Sequence, residues 1–152
     1  MMILKEYLEM NADRIDRMLH RYFGNVHGGL FRASAHLLLA GGKRLRPAVT
    51  LLAADAIRKG SSDDLILAAL SLELTHNFTL IHDDIMDGDT ARRGVPTVHT
   101  LWDEPTAILA GDVLYAKAFE FICLAEGADA AKIRAVKMLA RTCAEICEGQ
   151  SM

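Results

Sequence analysis

Three aspartates, Asp83, Asp84 and Asp87, close the most apolar stretch of this 152-residue sequence. Asp83 and Asp87 are four positions apart, so a helix stacks them on one face with Asp84 beside them. Acids at the C-terminal end of a helix meet the negative pole of its dipole as well as each other. A cation relieves both repulsions. An oxygen-only donor set suits a hard ion such as Mg²⁺, which commonly takes one or two carboxylates plus substrate phosphates. Spacing alone leaves a solvated helix end equally open, and two basic groups tip the balance. Lys43, Arg44 and Arg46 follow Gly41-Gly42, and Arg92-Arg93 follow the aspartates at short range. Acids and bases together suit a phosphate held directly by cations on one side and through a metal on the other. Neither GxGxxG nor GxxxxGK[ST] occurs, which counts against a nucleotide-fold phosphate loop.

The elements that must position these groups read as helices throughout. Ile3, Tyr7, Leu8, Ile15, Leu19 and Tyr22 recur at helical spacing until Gly24 stops the run. A second helix covers about 30–40 and ends at Gly41-Gly42, and a third carries Pro47 in its first turn and runs to Gly60. Ser61 and Asp64 suggest a capping box that starts the fourth. Its apolar residues, among them Leu65, Leu70, Leu74, Phe78, Ile81 and Ile85, cover nearly the whole circumference, as in a helix inside a bundle. A polar loop over 88–104 leads to a helix opened by Pro105 and running to about Gly127. A last helix begins near Ala130. No stretch alternates as a strand, so the expected fold is an all-α bundle.

Composition narrows the class further. A chain that is 51% hydrophobic and 24% charged suits one soluble domain with a sizeable core. A formal net charge of −3 provides no global basic field, which argues against a nucleic-acid partner. Cys123, Cys143 and Cys147 lack CxxC spacing and are odd in number, pointing to a reduced, cytoplasmic chain. Cys143 and Cys147 read as packing positions. The N-terminal residues lack the apolar core of a signal peptide, and no window approaches the ~18 uncharged apolar residues of a transmembrane segment.

The motifs resemble those of the trans-isoprenyl (polyprenyl) diphosphate synthases. Gly41-Gly42-Lys43-Arg44-Leu45-Arg46-Pro47 looks like their GGKRLRP signature, and His82-Asp83-Asp84-Ile85-Met86-Asp87 contains their first aspartate-rich motif, DDxxD. Arg92-Arg93-Gly94, Pro96-Thr97, His99, Gly111-Asp112 and Glu148-Gly149-Gln150 follow in the family's order. The resemblance implies an isoprenoid-synthase helical bundle, Mg²⁺ as cofactor, isopentenyl diphosphate and an allylic diphosphate as substrates, and a homodimer. It implies that Lys43, Arg46, His76 and Arg93 bind isopentenyl diphosphate. Asp83 and Asp87 would ligate Mg²⁺ with Asp84 in support, and Arg92 would contact the allylic diphosphate. Asp83, Asp87 and Arg92 thereby become the residues of catalysis.

Glu73 and Asn77 read as polar members of one buried network around His76, with His82 and His99 in supporting roles. Phe78 lies five positions before Asp83, about 7.5 Å along a helix axis, where the family places an aromatic floor limiting product length. Thr79 beside it resembles the archaeal-type geranylgeranyl synthase pattern more than the farnesyl one. Family members are roughly double this length and carry a second aspartate-rich motif, absent from these residues. Residues 1–152 are therefore expected to be the N-terminal portion of one synthase domain, with little turnover alone. The alternatives are a farnesyl diphosphate synthase and a non-catalytic subunit of a heteromeric synthase, and the intact acidic and basic motifs weigh against the second.

Overall fold

The computed structural model describes residues 4–152, so Ile3, assigned above to the first helix, lies outside the described residues. Seven helices and one minimal ribbon follow in chain order. They are α1 (Leu4–Phe23), α2 (Gly29–Leu39), α3 (Leu45–Ile57), α4 (Ile66–Asp87), β1 (Ala91–Arg92), β2 (Val95–Pro96), α5 (Val98–Leu101), α6 (Glu104–Leu124) and α7 (Asp129–Gln150). The all-α expectation holds. No helix among the described residues is long and apolar enough to cross a membrane.

At the centre, α4 packs chiefly on α6, with α2 and α3 on its other sides. The interdigitating side chains include Leu70, Leu74 and Ile81 from α4, Ala107, Ala110 and Leu114 from α6, and Leu37, Leu38 and Leu51 from α2 and α3. Alanines on the α6 face let the two axes approach closely. Around this pair, α1 is fastened by polar contacts. The Tyr7 hydroxyl donates to Asp55 Oδ2 at 2.9 Å, and Arg14 pairs with Asp63 at 2.6 Å. Burial and then the Asp55 carboxylate push the Tyr7 phenol up to about 12, so it stays a donor across the physiological range.

Two expectations need correction. The capping box does not form. Ser61 Oγ donates to Ala54 O at 2.7 Å and Asp64 pairs with Arg58 at 2.6 Å, so 61–64 make turns that close α3, and α4 begins at Ile66. The hydroxyl instead meets a carbonyl in the last turn of the preceding helix, one that also accepts the Arg58 N–H. The loop over 88–104 is also more ordered than its polarity suggested. Ala91 pairs with Pro96 and Arg92 with Val95 around a two-residue turn. Arg93 and Gly94 both have positive φ, 53° and 77°, the combination that makes a tight hairpin follow strand twist. By contrast α6 starts as expected near Pro105, with the Asp103 side chain accepting from the Thr106 N–H at 2.7 Å.

Candidate functional site

The basic loop between α2 and α3 is built around one inward arginine. Arg44 has φ 47°, a left-handed conformation that costs a non-glycine residue roughly 1 kcal/mol. Three contacts hold it there. Its Nε meets Asp16 Oδ1 at 2.8 Å, Nη1 meets Glu73 Oε1 at 2.6 Å, and Nη2 donates to Leu38 O at 2.7 Å. The residue is 2% exposed, so its charge is spent on α1, α2 and α4 and serves as an anchor for the loop. Its neighbours Lys43 and Arg46 are exposed, and neither side chain has an ion pair among the described residues. They stand where α3 begins, beside backbone N–H groups with no helical acceptor, a setting that attracts anions.

Arg93 reaches the same loop from the hairpin. A Cβ on Gly42 would lie 3.3 Å from Arg93 Cζ and 3.4 Å from Arg44 Nη1, so only glycine lets the loop backbone lie against both guanidiniums. Arg93 Nη1 donates to Leu37 O at 2.8 Å and to Asn77 Oδ1 at 3.0 Å, while Nη2 is 3.9 Å from Glu73 Oε1. Asn77 in turn donates to Glu73 Oε1 at 3.2 Å. One buried carboxylate, Glu73, thus faces two guanidiniums. Burial lowers the Arg93 pKa, and the neighbouring Arg44 lowers it further, with Glu73 opposing. His76, one turn along α4, is held below its ordinary 6.5 by burial and then by Arg46. It faces the basic cluster as a neutral ring at neutral pH.

The three aspartates do not act as one set. Asp84 is 0% exposed and turned into the fold, where its Oδ1 accepts from Arg92 Nε in a short charged contact and its Oδ2 has no hydrogen-bond partner. Arg92 Nη2 also reaches Asp89 Oδ2 at 3.0 Å. Asp83 is half-buried and Asp87 exposed. Burial raises the Asp83 pKa and the Asp87 charge raises it further, the signature of two acids that repel across one face. Among the described residues no three His, Cys, Asp or Glu side chains gather closely enough to hold a metal ion. Helical geometry and the Arg92 contact send Asp84 inward, leaving Asp83 and Asp87 as the members of the motif that face outward. Two like-charged carboxylates open to solvent fit a hard cation that completes its shell with phosphate oxygens and water.

Between α4 and α7 lies a cavity of about 570 Å³. Arg46, His76, His82 and Asp83 line it together with Leu72, Phe78, Met86, Leu139 and Ile146, so charged groups share one space with a predominantly apolar wall. Lys43, Asp87, Arg92 and Arg93 are not part of that wall. Phe78 stacks within it, 4.7 Å from the His82 ring and 4.9 Å from that of Tyr115, which meets Phe119 at 4.9 Å. His82 lies directly over α6. A Cβ on Gly111 would fall 2.4 Å from its Nε2, which also contacts Ile108 O at 3.1 Å.

Several residues escaped the sequence reading. Asp16 gave no sign, since its helix is rich in charge and its partner is 28 positions away. The α7 wall was equally hidden, because Thr142, Cys143 and Ile146 look like ordinary packing positions. Tyr115, backed by Phe119 four positions on, packs against Phe78 without any signal in the sequence.

Known proteins are similar over most of the chain. The geranylgeranyl pyrophosphate synthase of Geoglobus acetivorans is 51% identical over 150 residues, covering 99% of this chain and 46% of that protein. A geranylfarnesyl diphosphate synthase of Natronomonas pharaonis is 50% identical, covering 81% of this chain and 40% of its own length. The solved structure of the Geoglobus acetivorans geranylgeranyl pyrophosphate synthetase superposes with TM-score 0.91 at 50% identity, covering 95% of this chain and 47% of that one. This chain therefore spans less than half the length of these relatives. The polyprenyl synthetase family profile matches residues 28–152, from the start of α2 through the whole basic loop, acidic helix and hairpin, and the chain belongs to that family.

Proposed function

We propose that these residues supply the diphosphate-binding part of a prenyltransferase that condenses isopentenyl diphosphate with an allylic diphosphate, head to tail, to give geranylgeranyl diphosphate. One observation carries the reading: Arg46, His76 and Asp83 line the same cavity as Phe78, Leu72 and Leu139. Charge for a diphosphate and a dry wall for a hydrocarbon chain meet there.

In this reading Lys43, Arg46, His76 and Arg93 bind isopentenyl diphosphate. Lys43 and Arg46 are free to do so because Arg44 takes up the anchoring contacts. Asp83 and Asp87 hold Mg²⁺, and Arg92, fixed by Asp84 and Asp89, contacts the allylic diphosphate. When bound, Mg²⁺ would offset the negative charge that builds on the departing diphosphate. Arg92 adds a second, permanent positive charge to the same oxygens. The apolar wall keeps water from the allylic cation until the isopentenyl double bond attacks it and a proton leaves. Phe78, backed by Tyr115 and His82, is the floor that sets product length. A homodimer in a reduced, cytoplasmic setting belongs to the same reading. Ile108 and Leu109, adjacent and exposed on α6, support an apolar contact, and the three free cysteines support the setting.

Calorimetric titration of residues 1–152 with a non-ionisable allylic thiolodiphosphate tests the site directly. Binding should require Mg²⁺ and weaken by about tenfold or more in Asp83→Ala/Asp87→Ala. Undiminished affinity in that variant would sink the proposal. Turnover by residues 1–152 with both substrates should be negligible, because Asp83 and Asp87 make only one side of a metal cluster.

A further inference from the structure

Cys143 and Cys147 are four positions apart on α7, about one helical turn, so their side chains share a face. Both line the cavity between α4 and α7, Cys143 buried in its wall and Cys147 open to solvent. Both are free thiols, and the functional reading above uses neither. Their mutual proximity shows in their effect on the surroundings. Burial pushes the Cys143 thiol up and Cys147 adds to the rise. The Tyr115 phenol on α6 is pushed up by burial and then by both cysteines. The two sulfurs therefore share one part of the cavity wall, with the Tyr115 phenol within electrostatic reach.

We propose that Cys143 and Cys147 form a dithiol site for thiophilic acceptors, trivalent organoarsenicals foremost, whose capture plugs the cavity between α4 and α7. Paired sulfur ligands select soft acceptors over the hard cation suited to Asp83 and Asp87. With an organoarsenic(III) oxide the balance is simple. Two As–S bonds form, the As–O double bond breaks, and both thiol protons leave with the oxygen as one water. Nothing is oxidised or reduced. The raised Cys143 pKa keeps that thiol protonated near neutral pH, which slows simple attack on alkylating agents. Chelation avoids that barrier, since Cys147 captures the acceptor first and the second bond closes within the molecule at high effective concentration. Cys123 stands exposed on α6 and serves as a built-in monothiol control.

Phenylarsine oxide added to reduced residues 1–152, with intact-mass analysis and maleimide counting, tests the site. One phenylarsine bridge should form per chain, leaving one of the three thiols, Cys123, open to maleimide. Cys147→Ser, at an exposed position, should weaken capture by about tenfold or more, and Cys123→Ser should leave it unchanged. Far-UV circular dichroism of both variants checks that α7 is intact. A bridge that persists in Cys147→Ser, or that consumes Cys123, would overturn the proposal. The plugging step rests on the functional reading of the cavity, so the Mg²⁺-dependent binding of the allylic thiolodiphosphate is measured before and after arsenical treatment. Loss of that binding after treatment supports plugging, and unchanged binding refutes it. Should the analogue fail to bind the untreated chain, the functional reading falls while the mass result still decides the dithiol.

Discussion

The charge balance of the site turns on Glu73. It is 3% exposed, and its Oε1 faces Arg44 at 2.6 Å, Asn77 at 3.2 Å and Arg93 at 3.9 Å. Removing one partner of a buried ion pair leaves an uncompensated charge, at a cost of about 3–5 kcal/mol. Glu73→Ala should therefore lower the unfolding free energy by about that amount in urea titrations, far more than Lys43→Ala at an exposed position. Equal effects of the two would show that the network does not carry the loop.

His76 yields a pH dependence of definite sign. Its pKa lies below the ordinary 6.5 in the fold because of burial and Arg46, so the unfolded chain binds the proton more readily. Stability is thus complete above pH 6.5 and falls as the pH drops below it towards the folded value. A diphosphate bound among Arg46, His76 and Arg93 would bring negative charge that favours the imidazolium and so oppose the trend. Thermal melts should show the free chain losing stability on acidification and inorganic diphosphate reducing that loss, with His76→Gln flattening both responses. An identical pH profile in His76→Gln would remove His76 from the site. The sequence offered Lys43 and Arg46 through a motif and His76 through the family resemblance, but not the different setting of Arg44. Arg44 looks like its neighbours in the string, and only its burial separates this anchor from the exposed Lys43 and Arg46.

Between elements, the decisive contact is the crossing of α4 and α6 at His82 and Gly111. A methyl group at position 111 would fall 2.4 Å from the imidazole Nε2, inside any permitted contact. Gly111→Ala should cost about 1–3 kcal/mol, the usual range for overpacking a close helix contact. His82→Ala/Gly111→Ala should recover part of the loss, and a double-mutant cycle by urea denaturation reads the coupling. Additive losses would mean that the ring moves aside freely. Helix boundaries were legible in the sequence at Gly24 and Pro105, while α3 and α6 end at Ile57 and Leu124, each three residues before the glycine expected to stop it. They were misread where a local side-chain bond decided the matter, as at Ser61. The hairpin at 91–96 escaped because two-residue strands leave no alternating pattern to detect.

At the level of the whole molecule, the apolar surface is unevenly covered. In α4 nine of 22 residues are buried and only Met86 and Asp87 are exposed, whereas in α7 only Leu139 and Cys143 are buried. Met138 is 71% exposed, Ile133 55% and Ile146 46%, and Leu124 at the end of α6 adds a further 55%. The helix expected from near Ala130 is present as α7, but periodicity cannot say what its apolar residues meet. Exposed apolar groups on one helix favour association, since each large side chain buried is worth about 1.5–3 kcal/mol. Residues 1–152 should accordingly self-associate in a concentration-dependent way in sedimentation velocity. Ile133→Lys/Met138→Glu should shift that equilibrium towards monomer without altering helix content by circular dichroism. The same variant should retain Mg²⁺-dependent binding of the allylic thiolodiphosphate, because neither position lines the cavity between α4 and α7. Association that is unchanged in the variant would place the sticky surface elsewhere, with the exposed Ile108 and Leu109 on α6 as the next face to charge.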